Sequence, residues 1–172
     1  LSQPGQREVR WRQAAGLALQ DVMTDSAVMT TPIDQTLFEA LVMAKATRDT
    51  GRPAVEDPLG TTLSYKKLIT GAQVLGAKIA QMTAPNTAVG VMLPNSSGVA
   101  VTFFALQSSG RVAAMLNFTA GPANVAAACK AAKIDVVLTS RMFVQKGHIE
   151  PLIPAIEPLA RIVHLEYVRT TI

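Results

Sequence analysis

The sequence predicts an α/β domain: a parallel sheet of about four strands with βαβ crossovers, plus a small hairpin at its amino-terminal side. Three observations carry this. Residues 87–117 read as a short apolar run (Ala88 to Leu93), a turn (Pro94, Asn95, Ser96), a longer apolar run (about Gly98 to Ser109) and a second short apolar run (Val112 to Leu116), the sequence form of a βαβ unit. The short runs are continuously apolar and not alternating, as expected of parallel strands covered on both faces. The pattern then repeats, with Val136 to Thr139 and Arg161 to Val168 as third and fourth strands separated by helical segments.

Taken in order, Pro4 suits a first helical turn, and Trp11, Ala14, Ala15, Ala18 and Val22 recur at helical spacing, giving an amphipathic helix over residues 5–23. Its polar face carries Arg7, Arg10 and Arg12. This helix admits two readings, a membrane-surface or partner-docking helix and a linker helix with solvated arginines; the second is preferred. Residues 24–35 hold turn formers and a proline without a period, so residues 1–30 are expected to be a helix and linker from a preceding domain, and residues 31–172 the amino-terminal portion of the next. Asp34 is expected to cap a helix from Gln35 to Arg48 with Leu37, Phe38, Leu41 and Ala44 on one side. Pro53 to Glu56 and Thr61 to Tyr65 flank a four-residue turn and suit a hairpin. Ser64 can cap a helix in which Leu68, Ala72, Leu75, Ile79 and Met82 form a core stripe. Pro122 opens a helix rich in small residues, Ser140 caps a short helix over RMFVQK, and a proline-interrupted segment leads into the fourth strand. These connections predict right-handed crossovers. The last strand lies directly before Ile172, which reads as truncation within a larger domain.

Composition narrows the function classes. Hydrophobic residues make up 49% and charged residues 16% of the 172, fewer than the roughly 25% charged that is usual, so some apolar surface is expected to belong to an absent neighbour or to a second copy in a homodimer. The most apolar window, Gly98 to Leu106, is nine residues long, against the roughly 20 a spanning helix needs, and the polar start LSQPGQREVR shows no secretory signal. One cysteine, Cys129, excludes an internal disulfide and points to a reducing, cytoplasmic compartment. A net charge of +4 with 5% aromatics and no recognised motif argues against nucleic-acid binding.

No complete catalytic constellation is present. GAQVLGAK is not a phosphate loop, because Ala77 separates Gly76 from Lys78, Ile79 follows, and the preceding residues are helical. His148 and His164 have no second ligand at metal-site spacing; His164 reads as a core histidine and His148 as exposed. Cys129, on an alanine-rich helix, reads as a packing residue. Architecture leaves the loops at the carboxyl ends of the strands, Pro94 to Ser97, Asn117 to Gly121 and Ser140 to Met142, where open α/β sheets gather ligands. Asn95, Asn117 and Thr119 are the candidate binding side chains there, with turn and cap roles as the preferred reading of each. Catalytic residues and metal ligands: none.

Three stretches in order resemble the amino-terminal portion of the adenylate-forming (AMP-binding) synthetase superfamily. Leu63-Ser64-Tyr65-Lys66-Lys67-Leu68 is similar to its LTYxEL motif, Val91-Met92-Leu93-Pro94-Asn95-Ser96 to its strand-ending LPNS, and Ala105 to Asn117 to a segment reading roughly ALxxxGxxxxPLN, with Met115 where proline is usual. Val137-Leu138-Thr139-Ser140 fits the strand that follows. The wording VTFFALQSSGRVAAMLNFTAG most resembles the bacterial bifunctional 2-acylglycerophosphoethanolamine acyltransferase/acyl-ACP synthetases. The resemblance implies part of the large subdomain of a parent enzyme. That parent activates a fatty acid with ATP and Mg²⁺, passes the acyl group to ACP or CoA, and serves lysophospholipid reacylation at the inner face of the cytoplasmic membrane. The superfamily's phosphate loop, adenine and ribose motifs and carboxy-terminal lysine have no counterpart among these residues, nor does an acyltransferase HxxxxD. The chain alone is therefore expected to be non-catalytic and to bind no cofactor. The alternatives are a free-standing Rossmann-like small-ligand module and a docking module working through residues 5–23.

Overall fold

In the computed structural model, which describes residues 35–48, 53–58 and 60–166, a four-stranded parallel sheet packs between two apolar clusters. Helix α1 (Leu37–Arg48) opens on a reciprocal cap. The Glu39 N–H donates to the Thr36 hydroxyl at 3.2 Å, and the Thr36 N–H donates to the Glu39 carboxylate at 2.8 Å. The Thr36 backbone N–H, then its hydroxyl, hold the Glu39 carboxyl below its usual range. The expected cap, Asp34, lies outside the described residues, as do the helix at 5–23 and the linker up to residue 34; the capping is done by Thr36, two residues later. Leu37, expected on the packed side, is exposed, and Phe38 is the α1 side chain that joins the core.

The hairpin is shorter than expected. Strands β1 (Val55–Glu56) and β2 (Thr62–Leu63) pair antiparallel, Val55 opposite Leu63. Helix α2 (Tyr65–Ala80) follows, capped as expected by Ser64, whose hydroxyl accepts from the Lys67 N–H at 3.3 Å. Then come β3 (Ala88–Val91), α3 (Ser97–Ser108), β4 (Val112–Met115), a 3-10 turn (Phe118–Ala120), α4 (Pro122–Ala131), β5 (Val136–Thr139), α5 (Arg141–Lys146), a second 3-10 turn (Glu150–Leu152), α6 (Ile153–Ile156) and β6 (Arg161–His164). The fourth strand ends four residues before the expected Val168: Leu165 and Glu166 are already helical.

Spatial order in the sheet is β4-β3-β5-β6. The chain runs outward from β3 to β4, crosses back over β3 to β5, and continues to β6. Successive residues of β5 show the two faces, Val136 and Leu138 packing with Ala72, Ile79, Ala105 and Leu106, and Val137 with Val125, Cys129, Ile149 and Ile156. Burial on both faces holds for the central strands β3 and β5. It fails for β4, where Val112 and Met115 are each 55% exposed, because β4 is an edge. Cys129 is buried, and desolvation pushes its thiol pKa up, which leaves it a packing residue.

The GAQVLGAK glycine has a packing role. A Cβ on Gly76 would lie 2.5 Å from the Ser108 Oγ and 2.6 Å from the Ala105 carbonyl oxygen, so glycine lets α2 and α3 approach backbone to backbone. At the end of α2, Arg111 donates from Nε to the Thr83 hydroxyl at 3.0 Å and from its guanidinium to the carbonyls of Ala80, Thr83 and Ser109. A cation placed there meets the negative end of the helix dipole.

Candidate functional site

The strand order reverses between β3 and β5, so the carboxyl ends of these two strands, with the loops that diverge from them, form the crevice where an open α/β sheet takes ligands. Its floor is tied shut. The Met92 N–H donates to the Leu138 carbonyl at 2.9 Å, and the buried Thr139 hydroxyl donates to the Met92 carbonyl at 2.8 Å.

The first wall is the turn Pro94 to Ser97 that leads into α3. Ser96, the residue before the helix, makes no side-chain cap; its hydroxyl donates to the Pro94 carbonyl at 3.3 Å. The cap comes from 40 residues upstream. Asp57, only 8% exposed, accepts from the Ser97 N–H at 3.0 Å through Oδ2 and from the Thr61 N–H at 2.9 Å through Oδ1. Its own backbone closes the hairpin turn, the Asp57 N–H donating to the Thr61 carbonyl and the Gly60 N–H to the Asp57 carbonyl. One carboxylate thus fixes both the hairpin and the amino end of a twelve-residue helix.

The second wall begins at Ser140, whose hydroxyl accepts from the Phe143 N–H at 3.2 Å and donates to the Glu166 carboxylate at 2.6 Å. Burial alone would push the Glu166 carboxyl up. The Ser140 hydroxyl and the backbone N–H groups of Glu166, Arg141 and Met142 outweigh it and hold the carboxyl below its usual 4.5. Both helices that open onto the crevice therefore carry one of the chain's own carboxylates at their positive ends.

Of the three candidate side chains, Asn117 and Thr119 meet each other. The Asn117 Oδ1 accepts from the Thr119 N–H at 3.1 Å and from its hydroxyl at 2.7 Å, starting the 3-10 turn. Asn95 is exposed on the turn after β3. The three residues sit on loops at the same end of the sheet, and the pair is engaged as a local cap. His148 is exposed and His164 half-buried at the end of β6. Among the described residues no three His, Cys, Asp or Glu side chains gather to hold a metal ion, and the amino end of α3 holds the Asp57 carboxylate. No helix among the described residues is long and apolar enough to cross a membrane.

Sequence reasoning missed Asp57 and Glu166. Asp57, in the turn DPLG, carried a readable signal as an Asx-type turn former, but nothing local named Ser97 as its second partner.

A model of the AMP-binding enzyme family matches residues 42–169. The chain belongs to the AMP-binding enzymes. Solved structures share the fold at low identity. The anthranilate CoA ligase AuaEII, in complex with anthranoyl-AMP, aligns at a TM-score of 0.65 and 16% identity over 79% of this chain and 27% of its own. The N-terminal domain of FACL13 from Mycobacterium tuberculosis aligns at 0.65 and 17%, over 79% and 36%. A benzoate CoA ligase from Burkholderia xenovorans LB400 aligns at 0.61 and 18%, over 74% and 25%. The chain thus spans between a quarter and little more than a third of these relatives' lengths. In this AMP-binding chain the family-like stretches mark joints: Leu63 to Leu68 runs from β2 into α2 through the Ser64 cap, and Val91 to Ser96 is the exit of β3 into the crevice.

Proposed function

We propose that this chain is the amino-terminal part of an ATP-dependent acyl-activating synthetase, of the bifunctional 2-acylglycerophosphoethanolamine acyltransferase/acyl-ACP synthetase type, and that by itself it is a structural, non-catalytic piece of that enzyme. The observation that carries this reading is the family match over residues 42–169, joined to a fold shared with acyl- and aryl-CoA ligases. The wording of residues 101–121 supports the finer assignment. In this reading residues 1–30 connect to a preceding acyltransferase domain. Residues 31–172 buttress the large subdomain. The parent forms an acyl-adenylate from a fatty acid with ATP and Mg²⁺, hands the acyl group to the thiol of ACP or CoA, and serves lysophospholipid reacylation at the inner face of the cytoplasmic membrane. The exposed edge of β4, with Val112 and Met115, is where the remainder of the synthetase, or in its absence a second copy, packs.

Two measurements test it. The longer protein carrying this segment should catalyse fatty-acid-dependent exchange of pyrophosphate into ATP; if benzoate-like acids or none at all support exchange, the fatty-acid assignment is wrong. Titration calorimetry of the 172-residue chain with ATP·Mg²⁺, and with a non-hydrolysable acyl-adenylate analogue, should give no heat. Binding at roughly micromolar Kd would replace the non-catalytic reading with that of a small-ligand module built on the strand-end loops.

A further inference from the structure

The turn at the exit of β3 faces the crevice and is held partly from outside itself. Ser96 spends its hydroxyl on Pro94, and the first amide of α3 is taken by a side chain from the hairpin. We propose that Asp57 is a positioning residue for acyl activation, setting the conformation of the Pro94–Ser97 turn from outside it; this rests on the synthetase reading above. The geometry is that of a two-pronged clamp. Oδ1 is fixed by the Thr61 N–H at 2.9 Å, so the carboxylate has one orientation, and Oδ2 then meets the Ser97 N–H at 3.0 Å. At 8% exposure the carboxylate is shielded from water, and a charge-assisted bond in such surroundings is among the stronger ones available. The hairpin is attached to α3 by this clamp and to α2 by the short link through Ser64. Since α2 and α3 are in close contact at Gly76, the hairpin, the two helices and the turn are packed against one another as a contiguous block.

The test separates local positioning from general stability. In the 172-residue chain, Asp57→Asn should raise amide hydrogen exchange at Ser97 by about tenfold, the loss expected for one bond to a charged group. Exchange at Val137 and Leu138 in the central strand β5 should stay unchanged. Uniformly faster exchange at all three sites would overturn the proposal, because Asp57 would then be a stability residue only. In the longer synthetase, Asp57→Asn should raise KM for the carboxylic acid about fivefold or more while kcat changes less than about twofold, as expected when roughly 1 kcal/mol of uniform binding is removed. Asp57→Glu, which keeps the charge and moves it by one methylene, should not restore KM. Unchanged KM and kcat in an active enzyme would sink the positioning role and leave the function intact; an inactive wild type would sink the function itself.

Discussion

At the scale of single residues, two glycines of one helix have opposite roles. Gly76 admits no Cβ without collision with the Ala105 carbonyl, whereas a Cβ on Gly71 would meet only the Val101 side chain at 3.4 Å. Gly76→Ala is expected to lower stability by about 1–3 kcal/mol through overpacking. Gly71→Ala should be neutral or stabilising by up to about 1 kcal/mol, since alanine is the better helix former. Urea midpoints of the two variants decide it, and equal shifts would contradict the close approach of α2 and α3. The sequence shows why GAQVLGAK fails as a phosphate loop, but the reason for glycine at position 76 lies in Ser108 and Ala105, some 30 residues on. Asp57 was hidden in the same way: its type announces a turn, and its second partner is distant. Asn117 and Thr119 were legible as caps because both partners are local.

At the scale of elements, three helices pass into the next segment through one motif. After α3 the Gly110 N–H donates to Gln107 and the Arg111 N–H to Leu106; after α4, Lys133 to Lys130 and Ile134 to Cys129; after α5, His148 to Gln145 and Ile149 to Val144. The residue at the left-handed position is Gly110 (φ 68°), Lys133 (φ 50°) and His148 (φ 49°) in turn, the signature of Schellman caps. Only glycine takes that conformation without strain. Lys133→Gly and His148→Gly should therefore each raise stability by about 1 kcal/mol, and Gly110→Ala should lower it by a similar amount, read as shifts in Tm. Of the three, only the Gly110 cap is visible in composition. Glu166 contributes to the acid side of the stability profile. Its folded pKa lies below the usual 4.5, so its contribution is present above that value and fades as pH falls through the lower folded one. Stability should drop on acidification below about pH 4.5, and Glu166→Gln should flatten that drop while lowering stability at neutral pH. Reading residues 161–168 as one strand concealed this carboxylate, because an apolar run gives no sign of where pairing stops and a helix begins.

At the scale of the whole molecule, periodicity located every strand of the sheet within a few residues, and β5 at its observed bounds. It did not order them. Continuous apolar runs look alike whether a strand lies at the centre or at an edge, and that is why β4 was expected to be buried. Its exposed Val112 and Met115 make the edge adhesive. Sedimentation of the 172-residue chain should show self-association that the double variant Val112→Lys, Met115→Lys reverses; a monomeric wild type would place the chain's apolar excess elsewhere. The crossing from β4 back over β3 also has a consequence in time. As the polypeptide emerges from the ribosome, β3, α3 and β4 can close on one another at once, with Asp57 already available to seat the helix. The pairing of β3 with β5 must wait until residue 138 has been made. The crevice is therefore the last feature of this block to form, and the first wall stands complete before the second exists.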